Sequence, residues 1–155
     1  MEAFLAATEA SPFAATMRTS LFLYPVANVV HVLAALVFFA SVAAMDVWVL
    51  RAATLAEARP MLWRVRPIAA AALVVQILSG IALFAPEATH IAHNPVFQVK
   101  LVLIVIALAN VVVLEVLIRR PGTDPARRTQ ARSATAISLA LWLCVAAAGR
   151  LIAYF

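Results

Sequence analysis

Residues 24–51 read YPVANVVHVLAALVFFASVAAMDVWVLR, and the reading of this stretch decides the fold. From Tyr24 to Arg51 it is long, apolar and helix-forming, and it exceeds the roughly 20 residues that a helix needs to cross the hydrocarbon of a bilayer. It also carries a histidine, His31, at a depth where hydrocarbon is expected. An ionisable ring is costly there, which makes the residue a functional candidate by default.

Working outward, four apolar segments stand out, at about 22–50, 67–86, 96–118 and 134–154. The whole chain is 66% hydrophobic and 12% charged, with a mean hydropathy of +1.02. A soluble domain is nearer half apolar and a quarter charged. The expected fold is therefore all-α: an integral membrane four-helix bundle over residues 21–155, preceded by an N-terminal interfacial segment over residues 1–20. That first segment lacks the basic start and continuous apolar core of a signal peptide. Ser11-Pro12 has the form of a helix start, so residues 2–19 are read as one or two short helices on the membrane surface.

The connections carry the charge. Arg51, Arg59, Arg64 and Arg66 fall between the first two segments, and Arg119, Arg120, Arg127, Arg128 and Arg132 between the last two. These are nine of the twelve basic residues, all in connections that four spans place on one side. The positive-inside rule makes that side cytoplasmic. Both termini and the 86–95 connection then face outward, to the periplasm of a bacterial inner membrane. The net charge of +5 is thus explained by orientation, and no nucleic-acid partner is expected. Pro67 and Pro95 are read as helix starts, and Pro121-Gly122 as a helix end.

Each segment has a stripe of small or polar residues at helical spacing, expected to face inward. The first offers Asn28, His31, Ala35, Val42 and Asp46. The second offers Ala72, Gln76, Ser79, Gly80 and Leu83. The third offers Lys100, Ala107 and Asn110, and the fourth Thr135, Ser138, Trp142, Ala146 and Gly149. Tyr24, Trp48 and Trp63 suit an interfacial aromatic belt. Asp46 and Glu115, near Arg51, Arg64, Arg66 and Arg119, read as a structural ion-pair network.

His31 lies roughly 10–15 Å below the outer surface at 1.5 Å per residue. Neutral imidazole is a good ligand for haem iron. The alternative is a neutral ring bonded to a neighbouring helix through Gln76 or Ser79. A second axial ligand must come from the outer connection, from His93 or from His90 as substitute, because the third and fourth segments contain no histidine. Lys100 and Arg150, cations at the outer edge, would hold haem propionates or else snorkel to the interface. Glu87, His90 and His93, one helical turn apart, form a candidate surface copper or zinc site. Cys144 stands alone, so no intramolecular disulfide, cysteine-based zinc site or iron–sulfur site can form. No P-loop, HExxH, GxGxxG or serine-hydrolase context occurs, and nothing points to hydrolysis or nucleotide chemistry.

Tyr24-Pro25, His31, Asp46 and Arg51, followed by SGIALF (Ser79–Phe84), HNPVFQVK (His93–Lys100) and Asn110, resemble an uncharacterised family of short bacterial four-helix membrane proteins. A looser similarity, an early-helix histidine and a later helix starting near a lysine, runs to CopD copper-resistance membrane proteins and HemJ-type protoporphyrinogen oxidases. The HemJ resemblance implies haem binding at His31.

Three functions are expected from the sequence. The first is a small b-type cytochrome-like protein holding haem b and passing electrons to a quinone or a periplasmic redox partner, an electron carrier rather than an enzyme. The second is a cofactor-free accessory subunit of a larger complex or oligomer. The third is outer-face copper handling at Glu87, His90 and His93.

Overall fold

Four helices long and apolar enough to cross a membrane dominate the computed structural model, which describes residues 1–120 and 124–152. In chain order the helices are α1 (Glu2–Glu9), α2 (Pro12–Thr19), α3 (Leu23–Arg51), α4 (Leu55–Phe84), α5 (Ala88–His93), α6 (Pro95–Arg119) and α7 (Pro125–Leu151). A 3₁₀ turn, Ala85–Glu87, joins α4 to α5. The four long helices have 29, 30, 25 and 27 residues, about 37–45 Å each at 1.5 Å per residue, more than a hydrocarbon core of about 30 Å requires. The protein is a multi-pass helical membrane protein.

The helices start earlier than their apolar runs. α4 begins at Leu55, not at Pro67, because Thr54 caps it: the Thr54 hydroxyl accepts from the Glu57 amide at 3.3 Å, and the Glu57 carboxylate accepts from the Ala53 amide at 3.0 Å. This is close to a capping box, in which two otherwise unbonded donors are satisfied. Pro60 and Pro67 consequently lie inside the helix, and the basic connection shrinks to Ala52–Thr54. α7 likewise begins at Pro125, where Asp124 accepts from the Ala126 amide at 3.0 Å. α6 follows the expected rule: Asn94 caps it, accepting from Val96 and Phe97, with Pro95 in the first turn. Pro121-Gly122, read as the end of that helix, lies outside the described residues; α6 ends at Arg119.

Two antiparallel hairpins, α3–α4 and α6–α7, meet along α3 and α7. Their shared core is aromatic and small by turns. Trp142 stands edge-on to Phe38 with centroids 4.6 Å apart, and Val42, Ala72, Ala107 and Val145 close around them. α4 and α6 meet through a few side chains, Phe84 stacking on Phe97 at 5.6 Å and Arg66 pairing with Glu115. Val29, Leu36, Leu78, Val102, Val105 and Leu143 remain exposed on the outside of the long helices, as a lipid-facing surface requires. The inward stripes hold with two exceptions. Asn28 and Ala146 are exposed, and Val145 and Ala148 supply the buried face of α7 instead.

At the basic end, arginines cap helix C-termini belonging to other helices. Arg59 of α4 donates to the carbonyls of Ile118, Arg119 and Arg120 at 2.8–3.3 Å. Arg128 of α7 donates to the Ala52 carbonyl at 3.1 Å. These carbonyls have no partner within their own helix, and a cation there also suits the helix dipole.

At the opposite end, α1 and α2 fold over the 85–93 segment. Arg18 donates to the Pro86 carbonyl at 2.8 Å and to the Glu9 carbonyl at 3.0 Å. The Glu9 carboxylate accepts from the Thr89 amide at 3.2 Å, and His93 meets Glu2 at 3.1 Å. Phe4 and Phe13 stay exposed on this cap. The hydrogen bonds from Thr89, helped by Arg18, hold the Glu9 carboxyl below its ordinary value of 4.5. The Thr89 carbonyl and the Glu2 carboxylate raise the His93 ring above its ordinary 6.5. The Glu9 contribution is therefore complete above pH 4.5 and is lost as pH falls through the lowered value, whereas the His93 contribution is complete below pH 6.5 and is lost as pH rises through the raised one. Amide exchange in α1, corrected for its intrinsic pH dependence, is expected to be slowest between those limits and faster on both sides. Protection that does not change across the range would contradict this docking.

Candidate functional site: a polar layer around His31

His31 sits on the face of α3 that meets α4, half-buried, and both of its ring nitrogens are engaged. Nδ1 lies 2.9 Å from the Ser79 hydroxyl, and Nε2 lies 2.7 Å from the Gln76 side-chain nitrogen. The tautomer follows from Ser79. Its single hydroxyl proton goes to the Val75 carbonyl at 2.6 Å, which can only accept. Ser79 must then accept from His31, which places the ring proton on Nδ1. Nε2 keeps its lone pair and accepts from the Gln76 amide. The two bonds agree on a neutral ring, the form that hydrocarbon favours.

Two glycines make room for the layer. A Cβ on Gly80 would come within 3.2 Å of His31 Cε1, against a ring fixed by hydrogen bonds on both sides. A Cβ on Gly149 would come within 3.3 Å of Lys100 Nζ, the mobile end of a flexible chain. The first contact can barely relax and the second can. Lys100 is half-buried, reaches from α6 to α7 rather than out to the interface, and lies within electrostatic range of His31. No hydrogen bond or ion pair joins it to another described residue. The Gln76 carbonyl oxygen is also buried without a partner.

The remaining candidates lie apart from this layer. His93 is exposed on α5, its Nδ1 2.7 Å from the Thr89 carbonyl and its Nε2 directed to Glu2. His90 and Glu87 are exposed on the same short segment. Among the described residues, no three His, Cys, Asp or Glu side chains are placed to hold a metal ion, so the structure does not assemble Glu87, His90 and His93 into a site. Arg150 is exposed on α7, next to Gly149, and has an interaction partner. Cys144 is exposed on the lipid-facing side of the α6–α7 hairpin.

Haem iron takes its axial ligand through an imidazole lone pair. His31 offers one, at Nε2, and Gln76 already holds it. His93 is bonded into the cap. As placed, these residues do not fit a bis-histidine haem, and of the two candidate propionate cations Lys100 is the one with no partner among the described residues.

A second polar layer lies nearer the basic end. Asp46 is buried close to Ser138, with its Oδ2 lacking a hydrogen-bond partner and no arginine paired with it among the described residues. Glu115 alone forms the expected ion pairs, with Arg66 and Arg119. Asn110 donates to the Ala134 carbonyl at 2.9 Å, tying α6 to α7. The aromatic cluster of Phe38, Phe39 and Trp142 separates this layer from His31.

No protein-family model matches the chain, and neither does any curated protein or any solved structure.

Proposed function

We propose that this protein is an accessory subunit of the bacterial inner membrane, needing no cofactor of its own, with its basic end cytoplasmic and both termini periplasmic. The saturation of His31 by Gln76 and Ser79 carries this reading. It makes the histidine a clamp between α3 and α4, and it leaves the broad apolar outer faces as the surface available to lipid or to a larger complex. The distribution of charge supports the orientation: nine arginines against Asp46, Glu57, Glu115 and Asp124 at one end, and Arg18, Lys100 and Arg150 against Glu2, Glu9 and Glu87 at the other. The whole net charge of +5 therefore belongs to the first end.

One observation favours a second reading. Lys100 is turned inward with no acceptor among the described residues, which suits a ligand bearing a carboxylate or carbonyl, such as a haem propionate or a quinone. In that case Gln76 gives way and His31 becomes the single protein ligand of an electron-carrying haem b.

Absorption spectra of the purified protein, expressed with ample haem and recorded oxidised and dithionite-reduced, separate the two. The accessory reading expects no Soret band. A Soret band with sharp reduced α and β bands, near one haem per chain and lost in His31→Ala, would overturn it.

A further inference from the structure

Two carboxylates of the long helices stand in the layer nearer the basic end, and the fold treats them in opposite ways. Glu115 on α6 is half-buried and pairs with Arg66 and Arg119. Asp46 on α3 is 2% exposed and lies close to Ser138 of α7, and its Oδ2 has no hydrogen-bond partner. The other polar groups of the layer are committed elsewhere. Asn110 donates to the Ala134 carbonyl at 2.9 Å, and Thr135, one turn before Ser138, donates to the Ala131 carbonyl at 2.8 Å. The charged side chains of the packed helices are turned away too. On α4, Arg59 and Arg66 reach to α6 and Arg64 is exposed. On α7, Arg128 donates to the Ala52 carbonyl and Arg132 is exposed. Arg51 of α3 is exposed as well. His31 and Tyr24 lie about four and six turns outward on the same helix.

An ionised carboxylate only accepts hydrogen bonds, and away from water it needs several donors. Asp46 has one hydroxyl close by and nothing at Oδ2. A charge buried in apolar surroundings without a partner costs far more than a neutral polar group, and such a side chain is neutralised instead. One ligand removes the charge and occupies the orphaned oxygen together, and it is a proton. Its source is the water at the basic end: Arg51, at the end of α3, is roughly 7–8 Å further along the helix.

We propose that Asp46 is a proton-binding site that governs the packing of α3 against α7. With the proton bound, the side chain is neutral and the dry contact accepts it. With the proton released to the basic end, the carboxylate draws water in beside Ser138 and loosens the contact that joins the two hairpins. This holds under either reading of the His31 layer.

The chain has two aspartates, Asp46 and Asp124, and Asp124 caps α7 through a bond that asparagine also makes. Asp124→Asn protein grown on carboxyl-labelled aspartate therefore carries one labelled carboxyl, whose infrared bands distinguish acid from carboxylate. Trp142, one turn beyond Ser138 on the same face, reports the contact by fluorescence once the exposed Trp48 and Trp63 are replaced by phenylalanine. The expected result is a labelled acid band that gives way to a carboxylate band as pH rises, with a red shift of Trp142 emission at the same midpoint. Asp46→Asn, a neutral amide of the same shape, is expected to keep the short-wavelength emission across that range. A labelled side chain that stays in one form, acid or carboxylate, at every pH at which the protein is folded would overturn the proposal. So would Trp142 emission that does not follow the band. Loss of the acid band on adding sodium at fixed pH, without such loss on adding choline, would assign the site to a metal cation instead.

Discussion

Trp142→Ala is expected to destabilise the bundle by about 3 kcal/mol, the lower part of the range for deleting a buried aromatic ring. Trp142 is 4% exposed and stands edge-on to Phe38 and Phe39, at 4.6 and 6.2 Å. It therefore fills the centre of the α3–α7 contact on which both hairpins depend. The lower part of the range applies because lipid tails are as apolar as the core, so no transfer from water is lost. What is lost is dispersion and shape: a ring-sized void between helices that small residues hold close. The indole nitrogen contributes nothing to the expected loss, since it is buried with no partner among the described residues. Trp142→Phe should accordingly cost less than about 1.5 kcal/mol. Reversible unfolding in mixed micelles measures both. A phenylalanine variant as unstable as the alanine one would mean that an unseen hydrogen bond, not packing, holds the ring.

Arg59→Ala is expected to cost about 2 kcal/mol, comparable to one or two hydrogen bonds made by a charged group. Its guanidinium reaches Ile118, Arg119 and Arg120 carbonyls together, closing the C-terminus of α6 from a different helix. Arg127 still donates to Arg120 in the variant, which keeps the loss from being larger. Arg59→Lys should recover little, because one ammonium cannot face three carbonyls spread over a turn. Faster amide exchange confined to the last turn of α6 would accompany the loss. Unchanged stability would show that water caps these carbonyls equally well.

Much of the fold was legible because lipid imposes a strong pattern. Spans must be long and apolar, and their flanking charge is asymmetric. The apolar runs around Tyr24–Arg51 and Pro95–Arg119 needed no tertiary information. Helix starts were less legible. Pro67 looked like a start because proline is tolerated best in a first turn, yet Thr54 and Glu57 had already offered a cap twelve residues earlier. The polar run between them was helical all along, with one face of α4 serving the α6 C-terminus.

The polar layer was partly legible. Gln76 and Ser79 stood at the right spacing to meet His31, but sequence alone could not say that both would bond it at once. Asp46 was misjudged by proximity: arginines lay near it along the chain, and Ser138 lay nearer across α7. The docking of Glu9 and Arg18 onto Thr89 and Pro86 joins residues about seventy to eighty positions apart. Nothing in either short segment announces it, although Arg18, a lone cation in the N-terminal segment, was a usable hint.

The central claim is that His31 clamps α3 to α4 through Gln76. A double-mutant cycle on His31→Ala and Gln76→Ala, read by reversible unfolding, tests it most directly. The predicted coupling is about 0.6–1.7 kcal/mol, the span found for hydrogen bonds between membrane helices. Strictly additive losses would contradict the clamp and return His31 to the role of an open ligand.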